Sequence, residues 1–121
     1  MFSYNFEKLE VWKLSLQVIK GIKEIVKRFP AEEKYVLADQ VRRASVSIAL
    51  NIAEGWGRNT KKDFGRFISN AIGSTLEVVA SLKVAEDLDY VEEKEIQGLD
   101  ELLKKLYFKL LSFSKYLRDN S

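Results

Sequence analysis

The sequence predicts an all-α protein: an up-down-up-down antiparallel four-helix bundle that assembles with copies of itself. Three observations lead there. Apolar residues recur at intervals of three and four in four successive stretches, and strand alternation appears nowhere over a useful length. The connections between the stretches are short, which makes sequential helices antiparallel neighbours. Two of the helices also carry ten consecutive uncharged residues, Ala44 to Ala53 and Phe67 to Leu76. A surface helix normally shows charge on its outer face, and 121 residues offer limited interior to cover two such helices.

Helix one is expected over 8–28, on the spacing of Val11, Trp12, Ser15, Val18, Ile19, Ile22, Val26 and Phe29. The single proline, Pro30, punctuates the chain there. Ala31, Glu32 and Glu33 follow, with acids suited to a helix N-terminus. Helix two is expected over 34–56, with Leu37, Val41, Ala44, Ile48 and Ile52 on one side and Gly55 and Gly57 as its stop. Asn59 and Thr60 are good N-caps, with Asp63 three residues beyond Thr60. Helix three, 61–88, then carries Phe64, Ile68, Ala71, Thr75, Val78, Leu82 and Ala85. Helix four, 92–118, is the cleanest: Ile96, Leu99, Leu103, Leu106, Leu110, Phe113 and Leu117 form a sustained heptad seam. The whole chain is one domain by length.

Small residues crowd helices two and three, which suits close packing between them. On a projection of about 100° per residue, Val46, Ala49 and Ala53 fall outside the core sector of helix two, and Leu50 lies nearly opposite it. Exposed apolar surface of this kind marks interaction sites. Leu50, Ala49, Ala53 and Trp56 of helix two and Gly73 of helix three are therefore expected at a subunit interface. Asn51, at the edge of the core sector, needs a hydrogen-bond partner, as a cap or across to another helix. Glu54 and Arg58 are spaced to pair.

Composition excludes much chemistry. There is no cysteine and no histidine, so neither a disulfide frame nor a thiolate or imidazole metal site is expected. A ferritin-like di-iron bundle, which needs Glu-x-x-His pairs, is excluded. Gly55-Trp56-Gly57 lacks the Gly-Lys-Ser/Thr of a phosphate loop, and no serine has a histidine to activate it. The chain reads as non-enzymatic, without cofactor or metal. No apolar run approaches the ~20 residues of a membrane span, and the N-terminus lacks the pattern of a signal peptide, so a cytoplasmic protein with no membrane partner is expected.

The net charge of +2 hides a polar distribution. Between Glu86 and Glu101 stand eight acids and one base, Lys94. An antiparallel bundle places that turn at the same end as Glu32 and Glu33. The opposite end collects Arg58, Lys61, Lys62 and Arg66, with Lys8, Lys13, Lys115 and Arg118 from the chain ends. In a ring these poles can add, favouring a polyanion bound mostly through its phosphates.

Phe6-Glu7-Lys8-Leu9-Glu10-Val11-Trp12, Arg28-Phe29-Pro30, Gln40-Val41-Arg42-Arg43-Ala44, Asn51-Ile52-Ala53-Glu54-Gly55-Trp56-Gly57-Arg58 and Gly73-Ser74 with Glu77 together resemble the bacterial 23S rRNA intervening-sequence proteins. The Asn-Ile-Ala-Glu-Gly block is the specific part; helix four matches in pattern only. Trp56 stands where such proteins often have Tyr, and Ala49 where they often have Pro. The resemblance implies a four-helix bundle in a ring, commonly a pentamer. A related branch, the accessory proteins of diversity-generating retroelements, forms basic pentameric barrels that bind nucleic acid and a reverse transcriptase. By that similarity Arg42 and Arg43 join Arg58 and Lys61 as candidate polyanion contacts.

Two functions follow as expectations. The first is a homo-oligomer that binds RNA or DNA without sequence specificity. The alternative is a protein-interaction scaffold with no nucleic-acid role, suggested by the uncovered apolar sectors and by aromatics such as Phe108.

Overall fold

The apolar periodicity resolves into four α-helices: α1 Glu10–Ile25, α2 Leu37–Trp56, α3 Lys61–Asp87 and α4 Glu93–Asp119. The computed structural model describes residues 1–121, and no strand forms. Each helix packs on the next in sequence, and α1 closes against α4. The result is a four-helix bundle.

The ends of the first two helices differ from expectation. α1 begins at Glu10, because Asn5–Lys8 forms a separate 3-10 turn, and it tightens into another at Val26–Arg28. α2 begins at Leu37 rather than 34. Pro30 fixes the start of a 3-10 turn, Ala31–Glu33, whose Glu33 N–H donates to the Pro30 carbonyl at 2.9 Å. The turn ends at Val36, whose φ of −116° and ψ of −95° are not helical. Glu32 and Glu33 therefore belong to the connection and not to the first turn of α2.

Most of the core is built from the residues that the periodicity marks, with Leu14, Ile25 and Ala38 added to it and the marked Trp12, Ile19 and Leu37 only half-buried. Val18 and Ile22 of α1, Val41, Ile48 and Ile52 of α2, Ile68 and Val78 of α3, and Leu103, Leu106 and Leu110 of α4 are all fully buried. The buried hydroxyls of Ser15, Ser45 and Thr75 bond back to carbonyls of their own helices, at Trp12, Arg42 and Ala71. No buried side-chain polar atom lacks a partner.

α2 and α3 share the most extensive contact, and small residues make it close. Ser47 and Ser74 hydroxyls meet across it at 2.9 Å. Asn51 is neither a cap nor a direct cross-helix bridge: its Nδ2 donates to the carbonyl and hydroxyl of Ser47 in its own helix, at 2.9 and 3.1 Å. Gly55 is not the stop of α2. It lies inside the helix, where a Cβ would come within 2.6 Å of Phe64 and 2.7 Å of the Phe67 Cβ. Close approach requires glycine there.

The antiparallel order separates the poles. At one end Tyr90 donates to Glu33 at 2.7 Å, and Arg28 pairs with Glu95. The α2–α3 connection, the N-terminal turn and the end of α4 lie at the other. Thr60 accepts the Asp63 N–H at 3.1 Å and caps α3 as expected.

Candidate nucleic-acid interface

The basic pole forms where α3 begins and α4 ends. Lys61, Lys62, Arg66 and Ser69 of α3 face Ser114 and Arg118 of α4 across an open cleft that no hydrophobic residue lines. The helical spacing Lys62, Arg66, Ser69 puts these side chains on one flank of α3. Charge neutralisation within the cleft is weak. Arg66 reaches Asp63 only at 3.9 Å and Arg118 reaches Asp119 at 3.7 Å, and both arginines are largely exposed. Lys61 and Lys62 form no ion pair; the Lys61 ammonium lies 5.7 Å from the centre of the Tyr116 ring. Both lysines occupy the first turn of α3, the positive end of the helix dipole, where a cation is disfavoured by about 0.3–1 kcal/mol.

Arg58 is engaged elsewhere. It pairs with Glu54 at 3.0 Å, as its spacing suggests, and its guanidinium stacks 4.4 Å above Phe67. Arg118, which the sequence places at this pole without distinguishing it from its neighbours, completes the cleft.

Arg42 and Arg43 do not join this surface. They stand in the first half of α2, about 20 Å along the helix axis from its C-terminus. Arg43 pairs with Asp39 at 3.2 Å, and Arg42 donates to the Lys34 carbonyl at 3.4 Å. Arg42 instead lines a groove between α1 and α2 with Lys23, Lys27 and Lys34. The six cations singled out in the sequence thus fall into two regions, because Arg42 and Arg43 stand in the first half of α2 whereas Arg58, Lys61, Lys62 and Arg66 stand in the α2–α3 connection and at the start of α3.

The expected subunit face is also partly revised. Leu50 is 59% exposed and Val46 40%, although each is apolar. Trp56 is 43% exposed, Ala53 is half-buried, and Gly73 is exposed with open space where a Cβ would stand. Ala49 is the correction: it is only 3% exposed, on the flank of α2 shared with buried Ala38 and Ser45. The chain covers Ala49 itself, so it is not part of an outer face. The uncharged decade of α2 is mostly explained in the same way, since Ala44, Ser45, Ile48, Ala49 and Ile52 are all buried. What remains uncovered is Val46 and Leu50, with Leu76 on α3. The Ser47–Ser74 bond sets the register that brings Gly73 level with this part of α2.

No group of three or more acidic residues is arranged to hold a metal ion. No helix is long and apolar enough to cross a membrane.

Comparison with known proteins gives the family but no activity. A crystal structure from Bacteroides thetaiotaomicron, of a protein with unknown function from the S23 ribosomal protein family, matches with a TM-score of 0.79. The match covers 87% of this chain and 98% of that one at 23% identity, which shows a shared fold. No curated protein matches the chain. The family model for the 23S rRNA-intervening sequence protein matches residues 7–112. By that match across most of its length, the chain belongs to the 23S rRNA-intervening sequence protein family.

Proposed function

We propose that the protein is a non-enzymatic homo-oligomer that binds RNA or DNA without sequence specificity, using Lys61, Lys62, Arg66 and Arg118 to hold phosphates. One observation carries the reading. Four cations line a polar cleft in which no carboxylate comes closer than 3.7 Å to an arginine, and neither lysine forms an ion pair. Two of these cations sit against a helix dipole, and such a breach of a local rule is expected at a functional site. Contacts of this kind position a phosphate backbone and carry no base information.

A ring would multiply the cleft and raise the local potential. The uncharged surface of Val46, Leu50, Gly73 and Leu76 supports assembly through the α2–α3 side, and the family resemblance favours five copies. Light scattering reads this directly: the subunit is 14.0 kDa, and a ring has an integral multiple of that mass.

Fluorescence anisotropy with structured RNA over a salt series tests binding. Affinity is expected to fall linearly on logarithmic axes, and each lost phosphate contact lowers the slope by about 0.7–0.9. Lys62→Gln with Arg66→Gln should remove about two contacts' worth of slope. No binding at low salt, or binding unchanged by the double substitution, defeats the reading.

Phe108 and Leu111, exposed on α4, favour the second reading, a scaffold for another protein. Specific copurification of one protein partner, from a preparation with no absorbance excess at 260 nm, would select it.

A further inference from the structure

A row of aromatic rings crosses the basic end of the bundle. Trp56 meets Phe64 edge-on with centroids 6.3 Å apart, Phe64 meets Phe113 at 5.2 Å, and Phe113 lies 6.5 Å from Tyr116. The inner rings are covered or half-covered. The row ends on Tyr116, which is 52% exposed although the adjacent Leu117 supplies the buried contact of that turn. The fold therefore anchors Tyr116 on one side without needing its outer surface. Lys61 joins this ring to the cleft: its ammonium lies 5.7 Å from the Tyr116 centre, and Lys61 lines the same cleft as Lys62, Arg66 and Arg118. An open, supported aromatic ring and a set of phosphate-directed cations thus share one edge of the molecule.

A duplex presents phosphates and groove edges but keeps its base faces stacked inside. A single strand presents both phosphates and base faces, and an aromatic platform beside a cationic track recognises that combination whatever the sequence. We infer that the ligand of this pole is single-stranded nucleic acid, with a base stacked on Tyr116 and the adjoining phosphates in the cleft. This inference rests on the nucleic-acid reading above and specifies its ligand. Trp56, at the other end of the row, is left to the face assigned to neighbouring copies.

The test compares three labelled probes at low salt by anisotropy: an oligouridylate of about 12 nucleotides, a blunt RNA duplex of equal length, and an abasic strand of equal length. The oligouridylate is expected to bind more tightly than the duplex. Tyr116→Ala should weaken oligouridylate binding about tenfold and leave the duplex and abasic strand unaffected. Tyr116→Phe, which keeps the ring, should retain wild-type affinity, and a melting curve for each variant checks that it is folded. Equal oligouridylate affinity for Tyr116→Ala and wild type, or a preference for the duplex, overturns the inference. If Lys62→Gln with Arg66→Gln still weakens binding in that case, the phosphate reading survives alone. Wild-type protein that binds no probe refutes both.

Discussion

Single residues carry constraints that their type alone does not reveal. Gly55 reads as a helix stop, yet its role is to let α3 approach: a Cβ would lie 2.7 Å from the Phe67 Cβ, an atom tied to the backbone that no rotamer change can move away. Gly55→Ala is expected to destabilise the fold by about 1–3 kcal/mol through overpacking, measured by denaturant unfolding; equal stability would show that α3 shifts without cost. Gly73, with open space around its missing Cβ, makes the contrasting control. Tyr90 gives a pH signature. Its hydroxyl donates to Glu33 at 2.7 Å, and the phenol pKa is raised above 10.0, first by that bond, then by burial and by the charges of Glu33 and Glu32. A raised folded-state pKa contributes stability that is complete below the unfolded value and is lost as pH climbs through the folded one. Wild type should therefore lose stability above pH about 10 with a component that Tyr90→Phe lacks. Melting curves at increasing pH check this; identical alkaline slopes would remove the Tyr90–Glu33 bond from the account.

At the scale of elements, α3 is the helix on which fold and site meet. Its start is set by Thr60, whose hydroxyl satisfies the Asp63 N–H. Lys61 and Lys62 follow in its positive first turn. Thr60→Ala should cost about 1 kcal/mol and fray the turn that presents both lysines. Hydrogen exchange of the first turn of α3 is expected to speed up while α4 stays protected. Uniform exchange across the variant and the wild type would show that tertiary contacts alone fix the turn. The seam of α4 was legible in the sequence: Ile96, Leu103, Leu106, Leu110 and Leu117 are buried as their spacing requires, and Leu99 and Phe113 are half-buried against the core. The start of α2 was not, because the acids after Pro30 suit a helix N-terminus and a 3-10 turn equally well.

For the whole molecule, a net charge of +2 says little, whereas its separation into an acidic and a basic end says more about a polyanionic ligand. The proposed ring makes a prediction at this scale. Leu50→Glu places a charge in the middle of the uncharged α2 surface and should reduce the particle to 14.0 kDa subunits with unchanged helix content, read by light scattering and circular dichroism. A variant that keeps the wild-type mass moves the interface elsewhere, and a wild type that is itself monomeric removes the ring. The candidate cleft was half legible: Lys61, Lys62 and Arg66 stood out as a local cluster, whereas the contribution of Arg118 depends on where the far end of α4 arrives. The distance of Arg42 and Arg43 from that cleft follows from the depth of each residue in the bundle, which family resemblance does not convey.

The sequence by itself determined the number of helices, most of their core stripes, the cap of α3 and the segregation of charge between the ends. Each of these follows from spacing along one segment, and spacing is a local property of the chain. Only the tertiary structure decided that Ala49 is covered, that Gly55 marks a close approach, that Arg58 rests on Phe67, and that Tyr116 stands open beside the cationic cleft. Those outcomes depend on the size and position of side chains on a neighbouring helix, and no periodicity within a single helix encodes them.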